Sequence, residues 1–138
     1  MMILGTLIET VLTEDTKIDR VIESIYDKYL RSKSSKYYKD LEQIMKLTGS
    51  YCIQWATGEN VLKDIDHSEP IGDRLIHIGS YRNDDKELTM CITVSPKKFS
   101  QMYAIDSKKA VDQLDNAIDS AIGKAIQRLK REYKIKER

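Results

Sequence analysis

The residues with the clearest capacity for chemistry are two cysteines, two histidines and a small group of carboxylates. Asp64, Asp66, His67 and Glu69 form the densest set of metal-type ligands, since carboxylates and imidazole together bind divalent ions. Alternation along a strand would place Asp64 and Asp66 on one face and His67 on the other. This pattern favours a polar strand end that enters a loop. We therefore predict no metal site and no bound cofactor.

Nucleophilic catalysis would need a cysteine beside a base, and the chain offers Cys52 or Cys91 with His77. The simplest register of the second predicted hairpin sends Cys91 and His77 to opposite faces. The sequence contains no Walker loop, no GxGxxG, HExxH or GxSxG motif and no EF-hand loop. We therefore predict no catalytic residue and favour a protein that is not an enzyme. An enzyme or small-ligand binder without a readable motif is the third alternative.

The strongest signal for nucleic-acid binding is the stretch over 26–39, in which cations alternate with tyrosines. Aromatic rings stack on bases and cations hold phosphates, so this composition is typical of nucleic-acid-binding segments. The alternative is a solvated connection between two helices whose tyrosines cover the core. The nucleic-acid hypothesis uses Lys28, Tyr29, Arg31, Lys33, Lys36, Tyr37, Tyr38, Lys39, Lys97, Lys98, Arg128 and Arg131.

Hydrophobic periodicity divides the chain into a helical start, a strand-rich middle and a helical end. Heptad-spaced apolar residues predict a helix over 14–31, whereas residues 1–12 fit either a helix or a strand. A shorter helix is predicted over 36–48 and ends at Gly49. Ser95-Pro96 and Asp106-Ser107 mark the starts of two further helices, of which the last is long.

The middle of the chain predicts four strands joined by turns at 57–60 and 83–86. The predicted strands cover 51–56, 61–66, 73–82 and 87–94. In the second hairpin, Ile92 and Val94 are expected on one face and Ile76 and Ile78 on the other, which implies that helices or a second subunit cover both faces. Short connections favour an antiparallel meander. We predict a single α+β domain over 1–138, with N-terminal helices, a four-stranded antiparallel meander sheet and a long C-terminal helix.

The first and last long helices each carry a stripe of one charge. Like charges spaced four residues apart repel one another within a helix, so we expect the two stripes to face each other, within one subunit or between two. The acidic stripe consists of Asp15, Asp19, Glu23 and Asp27, and the basic stripe of Lys124, Arg128 and Arg131.

Overall charge and hydropathy narrow the classes of function. The 23 basic and 22 acidic residues nearly cancel, so the net charge indicates no nucleic-acid or membrane partner. The longest apolar run is only Met1 to Leu4, too short to span a membrane. The chain contains 16 lysines against 7 arginines, and 17 isoleucines, a mix that often accompanies AT-rich genomes and favours a viral or phage accessory protein.

The preferred interpretation is a small non-enzymatic protein-interaction or assembly module that forms a homo-oligomer. Its expected partners are a second copy of the chain and an unidentified protein, and no membrane. Nucleic-acid binding is the alternative. We expect the protein to be located in the cytoplasm, or in the host cytosol if the protein is viral.

Overall fold

The computed structural model describes residues 13–50, 52–62 and 68–135. Within them the chain is an α+β protein, as predicted. The interpretations of residues 1–12, Tyr51, Asp64, Asp66 and His67 lie outside the described residues. The elements are α1 (Thr13–Leu30), α2 (Tyr38–Thr48), β1 (Ile53–Thr57), β2 (Asn60–Leu62), β3 (Ser68–Pro70), β4 (Ile76–Arg82), β5 (Leu88–Val94), α3 (Pro96–Ile105) and α4 (Ser107–Glu132).

The helices that follow the sheet start where the sequence predicts. The Ser95 side chain accepts a hydrogen bond from the backbone N–H of Lys98 at 3.1 Å. The Asp106 side chain accepts one from the backbone N–H of Lys109, also at 3.1 Å. Each side chain satisfies an amide that has no partner within its own helix, which is why these residue types begin helices.

The helices supply most of the hydrophobic core. The apolar positions of the heptad pattern from Ile18 to Tyr29 are buried in α1, and α1 contacts β1, α2, α3 and α4. Helix α4 packs against β4 and β5. Its buried residues are Ala110, Leu114, Ile118, Ala121, Ile122, Ala125, Ile126 and Leu129.

The predicted four-stranded antiparallel meander is wrong. The main sheet has three strands in the order β1-β5-β4, and β2 and β3 form a separate two-stranded sheet. Strand β4 pairs antiparallel with β5, so the second predicted hairpin is confirmed, whereas β1 pairs parallel with β5. Residues 67–72, which lie between the two predicted hairpins and were expected to form a loop, contain β3.

The first predicted hairpin fails because the chain beyond β1 continues along β5. The Gly58 amide donates to the Val94 carbonyl at 3.0 Å, which extends the pairing of β1 with β5 past Thr57. Ile53 and Trp55 lie opposite Met90 and Ile92. This arrangement lets β1 place its apolar side chains on the same buried face as the central strand.

The prediction of two apolar sheet faces is also wrong. Ile76 lies opposite Val94 and Ile78 opposite Ile92, and residues paired across a sheet project to the same face. All four therefore lie on the face that contributes to the core. The other face carries Gln54, Ala56, His77, Gly79, Tyr81, Thr89, Cys91 and Thr93.

Candidate interaction surfaces

The lysine- and tyrosine-rich segment begins with a contact between α1 and α4. The Tyr29 hydroxyl donates a hydrogen bond to Asp115, and the Lys28 ammonium pairs with the other oxygen of that carboxylate at 2.5 Å. The Lys28 ammonium also lies 4.8 Å from the centre of the Tyr29 ring. Tyr29 is buried, so this ring covers the core.

The connection between α1 and α2 repeats the same arrangement one turn further along α4. The Tyr37 hydroxyl donates to Asp119 Oδ1 at 2.5 Å, and the Lys36 ammonium pairs with Asp119 Oδ2 at 2.7 Å. Lys36 also lies over the Tyr37 ring, 5.3 Å from its centre. The two arrangements tie the connection to α4.

These contacts change the acidity of the groups involved. Burial raises the pKa of the Asp119 carboxyl, but the hydrogen bonds from Lys36 and Tyr37, together with the charges of Lys36 and Lys28, outweigh it and hold that pKa below its usual range. Burial and then the hydrogen bond to Asp115 raise the pKa of Tyr29. Burial and then the hydrogen bond to Asp119 do the same for the pKa of Tyr37. Asp119 is therefore held ionised as an acceptor, and the Tyr29 and Tyr37 phenols stay protonated as donors.

The tyrosines of the 26–39 segment pack on the core, since Tyr26 and Tyr29 are buried and Tyr37 is partly buried against it. The Arg31 guanidinium lies over the Trp55 ring at 5.1 Å, and Tyr38 is half-buried. Lys33 and Lys39 are exposed. Lys28, Arg31 and Lys36 are exposed as well, and nucleic-acid binding by this segment stays a prediction.

The Ser-Pro-Lys-Lys stretch begins α3, and a carboxylate already occupies the start of that helix. Glu59 accepts a hydrogen bond from the backbone N–H of Lys97 at 2.8 Å and one from the Ser95 hydroxyl at 3.1 Å. Lys97 is exposed and Lys98 is half-buried. The amides that would hold a phosphate at a helix start hold Glu59 instead.

The four residues of the acidic stripe all lie on α1. Asp15 lies in the first turn of that helix, Asp19 and Glu23 are exposed, and Asp27 pairs with Arg31 of the same helix at 3.2 Å. The charge of Asp27 is therefore compensated by a cation of its own helix.

The basic stripe lies on α4. Arg128 pairs with Glu132 in its own helix at 3.4 Å, and Lys124 and Arg131 are exposed. An ion pair between Lys28 and Asp115 does join α1 to α4. Its cation lies on α1 and its carboxylate on α4, the reverse of the predicted arrangement of charges. Contact between the two stripes stays a prediction for two copies of the chain.

The candidate catalytic residues are not arranged as a nucleophile and its base. Cys91 and His77 lie on the same face of the sheet, because Gly79 pairs with Cys91 and His77 pairs with Thr93. This corrects the predicted opposite placement, but no hydrogen bond joins these two described side chains. Burial raises the pKa of the Cys91 thiol, which lowers the thiolate fraction that a nucleophile needs.

Cysteine pairing and metal binding give no further site. Cys52 and Cys91 are free thiols. In the part of the chain that the structure describes, no group of three or more His, Cys, Asp and Glu side chains could hold a metal ion.

The outer edge of β4 is the feature that the sequence did not reveal. Ser95 donates its backbone N–H to the Leu75 carbonyl, and Asn83 donates its own to the Glu87 carbonyl. Hydrogen-bonded and non-hydrogen-bonded pairs alternate along an antiparallel ladder, so odd-numbered residues of β4 bond to β5. The backbone groups of Ile76, Ile78, Ser80 and Arg82 therefore point away from β5.

Among the described residues, this edge lacks most of the features that usually protect an exposed strand. It pairs with β5 over seven residues without a bulge, and among the described residues it has no second strand neighbour. It contains no proline, and its one charged residue, Arg82, pairs with Glu132 at 2.9 Å. Natural proteins normally blunt an edge with lysine, proline, a bulge or a covering element. The β4 edge is therefore a ready template for another strand.

The architecture defines an α+β protein with a small mixed sheet, one face of which contributes to a helical core. Neither the known family models, nor the curated proteins, nor the solved structures give a match to this chain. Among the described residues, no helix has the length and apolar character needed to cross a membrane.

Proposed function

We propose that the protein is a small, non-enzymatic interaction or assembly module that works as a homo-oligomer and binds through the edge of β4. The observation that carries the proposal is the row of outward-pointing backbone groups at Ile76, Ile78, Ser80 and Arg82. A strand added at such an edge gains backbone hydrogen bonds whatever its side chains are, and the side chains then set specificity.

The side chains along the edge support this proposal. Ile76 and Ile78 are only partly buried within one copy of the chain, so an added strand would remove further apolar surface from water. Ser80 is exposed and small, which leaves the approach to the middle of the edge open. The Cys91 thiol and the carboxylate-bound tyrosines offer no comparable surface for chemistry or for nucleic acid.

Replacing Ser80 with proline is expected to abolish assembly and leave the fold intact. The N–H of Ser80 points away from β5, so proline removes no hydrogen bond within the chain, and proline is tolerated on edge strands in this orientation. The proline ring would block the added strand and remove a donor from it. Light scattering and sedimentation, at protein concentrations up to about 1 mM to include weak association, should show an oligomer for the unchanged protein and a monomer for Ser80→Pro.

The matched control is Ser80→Ala, which keeps the N–H and should assemble as the unchanged protein does. Circular dichroism and thermal melting of the three proteins establish that each is folded. A folded Ser80→Pro variant that still assembles would show that binding uses another surface. An unchanged protein that stays monomeric across the range would overturn self-association itself.

A further inference from the structure

We propose that the strand added to β4 is β4 of a second copy, antiparallel, with Gly79 on the two-fold axis. This inference rests on the proposed function. It makes the two three-stranded sheets into one continuous six-stranded sheet with β4 of each copy at its centre.

The register follows from the backbone groups that point outward. An antiparallel partner must place its own outward-pointing residues opposite Ile76, Ile78, Ser80 and Arg82, because only those residues have backbone groups directed to that side. Pairing of the whole of β4 with a second β4 then sets Ile76 opposite Arg82 of the partner subunit and Ile78 opposite Ser80 of the partner subunit. The two-fold axis repeats both pairs, so this register contains four such pairs. At two backbone hydrogen bonds for each pair, it forms about eight.

The residue on the axis suits a close approach of two strands. In this register Gly79 lies opposite itself in a non-hydrogen-bonded pair, where the two side-chain positions are nearest. Gly79 has no side chain, and the Cε1 atom of His77 lies 3.2 Å from the position that a Cβ at residue 79 would take. The His77 imidazole of each copy therefore lies over Gly79 of the same copy. In the proposed register it lies opposite Tyr81 of the partner subunit.

The charge of the edge is compatible with a second copy of the same strand. The edge is neutral from Ile76 to Tyr81, so two copies meet without repulsion along its length. Beyond the strand, the same register brings the exposed Arg74 towards the exposed Asp84 of the partner subunit. The two-fold axis forms this contact twice, but it also brings the exposed Asp73 towards the exposed Asp85 of the partner subunit. The charges beyond the strand therefore offset one another, and the register follows from the backbone groups of β4.

A cysteine at position 79 tests the register directly. In a Cys91→Ser background, which removes the thiol opposite Gly79 in its own chain, Gly79→Cys places two thiols across the axis. A Cα separation of about 4.5 Å is expected there, and disulfides form at separations up to about 7 Å. Mild oxidation should convert most of the protein to a covalent dimer on a non-reducing gel.

The matched control is Tyr81→Cys in the same background. Position 81 lies on the same strand and the same face as position 79, but in this register it lies opposite His77 of the partner subunit, so this variant alone should stay monomeric on the gel. Adding His77→Cys to Tyr81→Cys should restore the cross-link. The double variant also provides the test if a cysteine against the imidazole prevents Gly79→Cys from folding.

The possible outcomes separate this inference from the proposed function. Cross-linking of the Gly79→Cys variant and of the double variant, without cross-linking of Tyr81→Cys alone, supports the two-fold pairing. If the unchanged protein is an oligomer but neither the Gly79→Cys variant nor the double variant cross-links, the two-fold pairing is contradicted. Self-association through the β4 edge is not contradicted by that result. A different protein joined to the Gly79→Cys variant on oxidation in extracts contradicts the second copy as occupant. A monomer at all concentrations contradicts both proposals.

Discussion

Replacing Phe99 with alanine should lower the free energy of unfolding by about 3–5 kcal/mol, the usual cost of deleting a fully buried aromatic ring. Phe99 is 0% exposed and packs edge to face on Tyr103 with ring centres 5.8 Å apart. It lies in the first turns of α3, which contacts α1 and α4. The cavity would therefore open where three helices meet. Urea denaturation of the purified variant measures the change.

Gln101→Ala is the control for this experiment, because Gln101 lies on the same helix and is exposed. An exposed substitution of this kind should change the free energy of unfolding by about 0.5 kcal/mol or less. A Phe99→Ala variant as stable as the Gln101→Ala variant would show that α3 does not pack on the core as described.

Replacing Asp119 with alanine should lower the free energy of unfolding by about 1–3 kcal/mol, because the half-buried Tyr37 hydroxyl loses its charged acceptor. It keeps only the Asp119 backbone carbonyl, which lies 3.1 Å away. Lys36 loses its ion pair at the same time. The control is Asp112→Ala on the same helix, since Asp112 is exposed and should tolerate the change. Equal effects of the two substitutions would contradict the contact between the inter-helix connection and α4.

The contribution of Asp119 should also depend on pH. Because its pKa is lower in the folded protein than in the unfolded chain, ionisation of Asp119 stabilises the fold. The stabilisation is complete above the ordinary carboxyl range near pH 4 and is lost as the pH falls through the folded-state pKa. The stability difference between the unchanged protein and Asp119→Asn should therefore narrow below about pH 4. A difference that is constant from pH 7 to about pH 2 would contradict an ionised acceptor.

The helices could be predicted because their signals are local. Gly49 ends α2 with a φ of 82°, and its N–H bonds to the Met45 carbonyl, the arrangement for which glycine is favoured. Ser95 and Asp106 begin α3 and α4 through their own side chains. Each of these features involves residues within a few positions of one another, so residue type alone indicates the structure.

The sheet could not be predicted in the same way because its pairing joins distant residues. The partner of Ile53 is Met90, and nothing in the residues near β1 indicates a parallel neighbour so far along the chain. The faces of β4 were assigned wrongly because the register of the hairpin decides which residues oppose one another. With strand order unknown, no sequence signal identified β4 as an edge.

The contacts of the 26–39 segment with α4 could likewise be predicted only in part. The tyrosines and lysines of the 26–39 segment stood out by composition, and Asp115 and Asp119 share a face of α4 by their spacing. Their meeting could not be foreseen, since Tyr37 and Asp119 are 82 positions apart. Composition therefore made the tyrosines and lysines stand out, and only the tertiary structure showed that their partners are Asp115 and Asp119.

Amide hydrogen exchange along β4 tests most directly whether this edge is the binding element. The amides of Gly79 and Tyr81 bond to β5 within one copy, whereas those of Ile78 and Ser80 point outward and gain partners only on assembly. At high concentration all four amides should be protected from exchange. Dilution, or the Ser80→Pro variant, should expose Ile78 and leave Gly79 and Tyr81 protected. Free exchange of Ile78 and Ser80 in an assembled sample would contradict strand addition at β4.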